Sequence, residues 1–135
     1  MIIGFDTSVV VRLLSGAPEE LAEAALGYLL ARRRAGDRMV VSDLVVAEAY
    51  FALQHHYGVT KKEALEGLRE FLTDSGVEAT PEVAEVLAIP NLESAKPGFI
   101  DRVIYRNYLG SGVERIATFE KSGSKLSDVV VLSAG

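Results

Sequence analysis

Short apolar segments typical of β-strands alternate along this chain with longer segments of helical periodicity. The strand-like segments are residues 1–5 (MIIGF), 38–41, 114–119 and 129–132, in which apolar and β-branched residues predominate. Strands that alternate with helices favour an α/β fold with a mainly parallel sheet and helices on both faces. The continuous apolar run MIIGF further predicts that the first strand is buried.

Six helices are predicted between these strands, because caps and breakers bound each segment of helical periodicity. Thr60 and Glu63 form a capping-box pattern at the start of one helix, and Gly58 ends the helix before it. Residues 91–97 are predicted to form a loop. The predicted helices cover residues 7–14, 18–35, 42–57, 60–73, 81–89 and 98–109.

Length and composition narrow the class of protein. With 135 residues, of which 49% are hydrophobic, the chain is expected to be a single globular domain over residues 1–135. It has no cysteine and two histidines, which excludes disulfides and thiolate nucleophiles and disfavours a zinc site. No apolar run has membrane-spanning length, and MIIGF is too short for a signal peptide. We therefore expect a cytoplasmic protein with no membrane partner.

The net charge of −5 argues at first against a nucleic-acid partner. The charge is unevenly distributed, however, because residues 91–135 hold six basic and five acidic side chains. A local basic rim is able to bind phosphates on a globally acidic protein.

Four acidic residues, Asp6, Glu48, Asp101 and Glu120, stand inside or directly beside apolar segments. Asp6 follows the first strand, and Glu120 follows the strand at 114–119. Ligands of open parallel sheets bind beyond the carboxyl ends of the strands, so both acids are expected to face one crevice. Glu48 and Asp101 lie in helices that begin at the same edge of the sheet. The four carboxylates are therefore expected to converge.

Converging carboxylates are costly to desolvate unless a cation pairs with them. Hard divalent cations prefer oxygen ligands, so Mg²⁺ or Mn²⁺ is the predicted cofactor. Each acid also has an alternative interpretation. Asp6 is typical of a turn that caps the next helix, and Glu48 of a solvated helix surface. Asp101 is typical of a helix start, where the dipole favours an anion, and Glu120 of a surface turn.

The segments around the four acids are IIGFDTSVVVRLL, SDLVVAEAYFAL, GFIDRVIYRNYL and TFEKSGSKL. In this order and spacing, which cover nearly the whole chain, they resemble the motifs of PIN-domain nucleases, in particular the small toxin type known as VapC. The resemblance implies a three-layer α/β/α sandwich with a mainly parallel central sheet. It also implies a metal-dependent endoribonuclease that is the toxin of a type II toxin–antitoxin pair.

The same resemblance implies a role for each acid. Asp6, Glu48, Asp101 and Glu120 would be the catalytic residues, and Asp6, Asp101 and Glu120 the closer metal ligands. Glu48 would be a further ligand or an acid that orients a metal-bound water. The hydroxyl of Ser8 would hydrogen-bond a carboxylate or such a water, or simply cap the helix. A bound dication would activate water for attack on an RNA phosphodiester.

Two departures from the family pattern favour an alternative function. Glu120 stands where an aspartate is usual, and Ser122 and Gly123 stand where a second aspartate often follows. Tyr105 and Arg106 are bulkier than the usual residues after the third acid, and Tyr105 is expected to narrow the cleft. The alternative is a weakly active or inactive PIN-like module that binds RNA or protein.

Several partners are expected. RNA would be bound in a single-stranded or looped form, because an open cleft suits it better than a duplex. An antitoxin protein would occlude the acidic cleft, as the resemblance implies. The residues expected to contact phosphates are Arg12, Lys96, Arg102, Arg106, Lys121 and Lys125.

The oligomeric state and one further alternative stay open at this point. Apolar stripes on the helices at 18–35 and 60–73 are expected either to form a homodimer, as family members commonly do, or to cover the sheet. A small phosphatase or a response-type α/β domain also places acids at strand ends. It fits less well, because the acids here lie on helices as well as strands.

Overall fold

The computed structural model describes residues 1–134, and its strands and helices alternate along the chain. In chain order the elements are β1 (Ile2–Gly4), α1 (Thr7–Ser15), α2 (Glu19–Arg34), β2 (Arg38–Val40), α3 (Asp43–Tyr57), α4 (Lys61–Asp74), β3 (Val77–Glu78), α5 (Pro81–Leu87), α6 (Phe99–Gly110), β4 (Ile116–Thr118) and β5 (Val129–Val131). Two short 3₁₀ helices cover Leu92–Ser94 and Lys121–Lys125. The predicted α/β class and the six predicted helices are confirmed.

The described strands form two parallel sheets. One contains β1, β2 and β3 in that order, with Ile3 opposite Met39 and Met39 opposite Val77. The other contains β4 and β5, with Ala117 opposite Val130. The parallel direction agrees with the prediction, but the strands are divided between two sheets, so that β1 has a neighbour on one side only.

Side-chain caps explain where four of the helices begin. Each capping side chain accepts a hydrogen bond from a backbone amide in the first turn of its helix, which satisfies a donor that the helix leaves unpaired. The capping residues are Asp6, Ser42, Thr60 and Thr80. The predicted capping box of Thr60 and Glu63 is confirmed, and Gly58 ends α3 in the left-handed conformation, with φ of 65°.

The core lies between the first sheet and the helices around it. α1 packs against α2 and α3, while α4 packs against α3 and β3. Met39 in β2, Leu65 in α4 and Val83 in α5 are almost completely buried. Burial of each such side chain contributes about 1.5–3 kcal/mol, so these contacts hold the first sheet and its helices together. No helix within residues 1–134 is both long and apolar enough to cross a membrane.

β1 lies at the edge of its sheet, and the prediction that MIIGF is buried is wrong for its first residues. Phe5 is buried, but the Ile2 side chain is 68% exposed. The apolar run predicted a buried strand, whereas Met1 and Ile2 are exposed.

The second sheet packs beside α5 and α6. Ile116 of β4 and Tyr105 of α6 are both buried, and they line a cleft of about 420 Å³ together with Glu85 and Val129. Tyr105 thus faces the second sheet, and none of the four predicted catalytic acids lines this cleft. The expectation that Tyr105 narrows the acidic cleft is not met, because Tyr105 is buried and lines a cleft that contains none of the four acids.

Candidate active site

Asp6 lies two residues beyond the carboxyl end of β1, where it is the N-terminal cap of α1. One carboxylate oxygen accepts a hydrogen bond from the Ser8 hydroxyl at 2.6 Å and another from the Val9 amide at 3.3 Å. The hydrogen bond from Ser8, and after it the one from Val9, lower the pKa of the Asp6 carboxyl below its ordinary value. Asp6 is exposed, so it presents a pre-oriented, ionised carboxylate at the strand end.

This geometry joins two interpretations of Asp6 that the sequence left as alternatives. The residue caps a helix, and the same cap holds its carboxylate in place. Ser8 contacts the carboxylate directly, so its predicted hydrogen bond to an acid is observed. The hydrogen bond from the Val9 amide to Asp6 was not predicted, although it follows from the position of Asp6 as a helix cap.

Glu48 lies on the exposed side of α3, between the residues that anchor this helix in the core. The next two residues, Ala49 and Tyr50, are buried, and the Tyr50 ring packs edge-on against Phe99 with ring centroids 5.0 Å apart. Phe99 is the first residue of α6. The contact therefore ties the start of α6, where Asp101 lies, to the segment of α3 that carries Glu48.

Asp101 lies in the first turn of α6 and is half-buried. The positive end of the helix dipole favours an anion at this position. Within residues 1–134, neither the Asp101 nor the Glu48 carboxylate takes part in a side-chain hydrogen bond or an ion pair. Both carboxylates are therefore available to a ligand.

Glu120 lies two residues beyond the carboxyl end of β4 and is exposed. Its amide donates a hydrogen bond to the Thr118 hydroxyl at 3.0 Å, and its carbonyl accepts one from the Gly123 amide at 3.0 Å. The backbone thus forms the surface turn that was the alternative interpretation. The side chain makes no hydrogen bond or ion pair with residues 1–134.

The expected convergence of all four carboxylates on one metal site is not observed within residues 1–134. Within residues 1–134, no three acidic or imidazole side chains lie close enough together to hold a metal ion. Asp6 follows β1 of the first sheet, and Glu120 follows β4 of the second. The donor chemistry still suits Mg²⁺ or Mn²⁺, because every candidate ligand is a carboxylate.

Three of the six predicted phosphate-binding residues are used in contacts within the chain. Arg12 donates to the Tyr57 hydroxyl at 3.2 Å, Arg102 donates to the Pro97 carbonyl at 2.5 Å, and Arg106 forms an ion pair with Glu85. These three arginines help to hold the helices and loops around the site. The other three residues, Lys96, Lys121 and Lys125, are exposed.

Comparison with known proteins gives one match. The PIN domain family matches residues 3–128, a span that contains all four acids. No match was found among curated proteins or among solved structures. PIN domains are generally nucleases, so the match indicates a nuclease, and this class of enzymes typically uses divalent metals. Because the family covers nearly its whole length, this chain belongs to the PIN domain family.

Proposed function

We propose that this protein is a metal-dependent endoribonuclease. The observation that carries the proposal is the Asp6 carboxylate, which hydrogen bonds from Ser8 and Val9 orient at a strand end and whose pKa they lower. Asp101 at the start of α6, free of partners in residues 1–134 and tied to α3 by the contact of Phe99 with Tyr50, supports the proposal, as does membership of a family of nucleases.

The four acids have different roles in the proposed reaction. Asp6, Asp101 and Glu120 would hold Mg²⁺ or Mn²⁺, and Glu48 would be a further ligand or would orient a water at the site. Such a dication would supply a lowered pKa of water and would offset charge on the phosphodiester. Ser8 keeps Asp6 in one orientation, because its hydroxyl occupies one carboxylate oxygen. No covalent nucleophile is required from the protein.

The substrate is RNA in a single-stranded or looped form, because an open site suits this form better than a duplex. Lys96, Lys121 and Lys125 contact phosphates, because their ammonium groups are exposed. Arg12, Arg102 and Arg106 contribute through the positive potential around the site, as their contacts within the chain limit direct binding.

The biological role is that of a VapC-type toxin in a type II toxin–antitoxin pair that acts in the cytoplasm. The motifs around the four acids and the family membership support this role. An antitoxin would inhibit the enzyme by placing a basic side chain among the exposed carboxylates, which are uncompensated in the free chain. The active form is a homodimer.

One experiment tests the proposed reaction. Wild-type protein and the Asp6→Asn variant are incubated with labelled RNA in the presence of Mn²⁺ or Mg²⁺. Asparagine caps a helix as well as aspartate does, so the fold is retained while a charged ligand is lost. We expect Asp6→Asn to lower the cleavage rate at least about 100-fold, because weaker perturbations around metal ligands already cost 10–100-fold.

Asp74→Asn is the matched control. Asp74 is an exposed acid at the end of α4, and its neutralisation changes the net charge equally. The control variant should cleave RNA at the wild-type rate. Identical cleavage patterns for wild type and Asp6→Asn would refute the proposed reaction.

A second candidate function is a weakly active or inactive module that binds RNA or protein. It is favoured by Glu120 in place of an aspartate, and by the lack of a close group of three acidic or imidazole side chains within residues 1–134. The variant Glu120→Asp distinguishes the two candidates. A large gain in metal-dependent cleavage indicates a weakened nuclease site, whereas RNA binding with no cleavage by either protein favours the binding module.

A further inference from the structure

Four ring side chains of α3 and α6 form one connected group. The Phe51 ring lies edge-on to Tyr50 with ring centroids 5.3 Å apart, and Tyr50 lies edge-on to Phe99 with centroids 5.0 Å apart. Phe51 is also stacked with His55, since their planes differ by 19° and their centroids are 6.3 Å apart. Tyr50 is buried, whereas Phe51 is 45% exposed and His55 is exposed as well. Two near-parallel rings therefore face solvent.

Phe51 and His55 lie on the same face of α3 as Glu48. Residues at helix positions i, i+3 and i+7 share one face. Because each residue advances a helix by about 1.5 Å, Phe51 lies about 4.5 Å and His55 about 10 Å beyond Glu48 along the axis. The contact of Tyr50 with Phe99 links the exposed rings to α6, the helix that carries Asp101. The rings thus lie one to two turns from an acid of the candidate active site.

The Phe51 ring is ordered before any ligand binds. Its neighbour Tyr50 is anchored in the core at 5% exposure, and the edge-on contact between the two rings favours one orientation of Phe51. A phenylalanine side chain has only two torsions to fix. A binding surface that is already ordered loses less conformational entropy on association, so the exposed face of Phe51 is suited to stack a flat ligand.

The chemistry of the two rings fits an unpaired RNA base. Unpaired bases stack on phenylalanine and histidine rings in many complexes of proteins with single-stranded RNA. Successive bases of one strand are themselves close to parallel, as the rings of Phe51 and His55 are. The His55 ring makes no hydrogen bond with residues 1–134, so its ring nitrogens are also available to the strand.

The charge of Glu48 favours RNA over a protein as the occupant of this face. Leu44, one turn before Glu48, is 69% exposed, so a protein that covered Leu44 and Phe51 together would bury the carboxylate between them. Glu48 has no ion pair within residues 1–134, and a buried carboxylate is costly without a cation beside it. A base on Phe51 covers only the ring and leaves Glu48 open to a cation and to the adjoining phosphate.

We propose that Phe51 and His55 form a base-stacking site that holds an unpaired base of the RNA substrate beside Glu48. This inference rests on the proposed nuclease function and adds the side chains that position the strand. Every base has a face that stacks on an aromatic ring. The site therefore selects unpaired bases and tolerates differences in sequence.

Binding of RNA in the absence of metal tests the stacking site without any cleavage. A labelled single-stranded RNA of about eight nucleotides is titrated with wild-type or Phe51→Ala protein in EDTA, and fluorescence anisotropy gives the Kd. We expect Phe51→Ala to weaken binding about 5- to 150-fold, the range measured for the loss of one stacked base. An oligomer of the same length without bases keeps only the phosphates, so both proteins should bind it equally.

Conservative variants separate stacking from apolar volume. Phe51→Tyr keeps an aromatic ring and should bind RNA as the wild type does, whereas Phe51→Leu keeps an apolar side chain and should bind as weakly as Phe51→Ala. His55→Ala should also weaken binding. Its matched control is His56→Ala, because His56 is exposed but lies about 100° further round the helix, and this variant should keep the wild-type Kd.

A tryptophan at position 51 reports the stacking directly, because the chain has no native tryptophan. A base stacked on the indole ring of Phe51→Trp quenches its fluorescence, so the single-stranded RNA should quench this variant and the oligomer without bases should not. Leu21→Trp is the control. Leu21 is 51% exposed on α2, outside the stacking site, and RNA should leave the fluorescence of this variant unchanged.

The outcomes separate failure of the stacking site from failure of the nuclease. A wild type that binds no RNA, or equal RNA affinities of wild type and Phe51→Ala, would overturn the stacking site. If Phe51→Ala dissociated a dimer in light scattering while its RNA affinity stayed unchanged, this face would be a contact between copies of the chain instead. RNA binding that depends on Phe51, with no cleavage in Mn²⁺, would retain the stacking site and reject the nuclease.

Discussion

Ser8 makes the largest contribution to the lowered pKa of Asp6, and its hydroxyl makes the shorter of the two hydrogen bonds to that carboxylate. Ser8→Ala removes this bond, so the pKa of Asp6 in the metal-free protein should rise towards its ordinary value of 3.8. A titration of the Asp6 carboxyl carbon by NMR measures the shift. The matched control Ser124→Ala, on an exposed residue outside the site, should leave the Asp6 pKa unchanged.

The sign of the effect on stability follows from the lowered pKa of Asp6. A carboxyl whose pKa is lower in the folded state stabilises the fold above its unfolded pKa, and the stabilisation is lost as the pH falls through the folded pKa. Ser8→Ala should therefore unfold at a higher pH than wild type during acid titration. Equal acid midpoints for the two proteins would contradict the assigned role of Ser8.

Among the helices, the left-handed residue that ends α3 offers a test of local backbone energetics. Gly58 has φ of 65° and open space around its Cα, so Gly58→Ala adds conformational strain without a steric clash. We expect a loss of about 1–2 kcal/mol in the free energy of unfolding. Gly27 lies inside α2, also in open space, and Gly27→Ala should gain about 0.5–1 kcal/mol. Urea unfolding of both variants measures the difference, and equal effects would contradict the assignment of the cap.

For the whole molecule, binding of a divalent cation couples the candidate site to global stability. A ligand that binds only the folded state at 100 times its Kd stabilises it by about 2.7 kcal/mol. We expect Mn²⁺ to raise the Tm of the wild-type protein and of Asp74→Asn, and to have a much smaller effect on Asp101→Asn. A thermal melt in buffers with and without Mn²⁺ provides the measurement. A Tm of the wild type that is indifferent to Mn²⁺ would argue against a metal site.

Most of the fold was predictable because its signals are local. The capping box of Thr60 and Glu63, the stop at Gly58 and the apolar periodicity of α4 each depend on residues within a few positions of one another. β3, with two residues, was missed because so short a strand shows no periodicity. The 3₁₀ helix at Leu92–Ser94 was predicted as loop for the same reason.

The site was predictable in part. That Asp6 follows a strand and caps a helix could be inferred from neighbouring residues, and its hydrogen bonds agree. The contact of Tyr50 with Phe99, which ties the start of α6 to α3, could not be inferred, because it joins residues far apart in the chain. The ion pair of Arg106 with Glu85 could not be inferred from the sequence for the same reason.

The order of residues alone was sufficient for the alternation of elements, their caps and the four acids of the PIN motifs, since each depends on short-range chemistry. The sequence alone could not show which part of the first strand is covered. An apolar segment such as MIIGF predicts burial, but it does not specify which elements pack on it. The tertiary structure buries Phe5 and leaves Ile2 68% exposed, because the residues that cover a strand lie far from it in the chain.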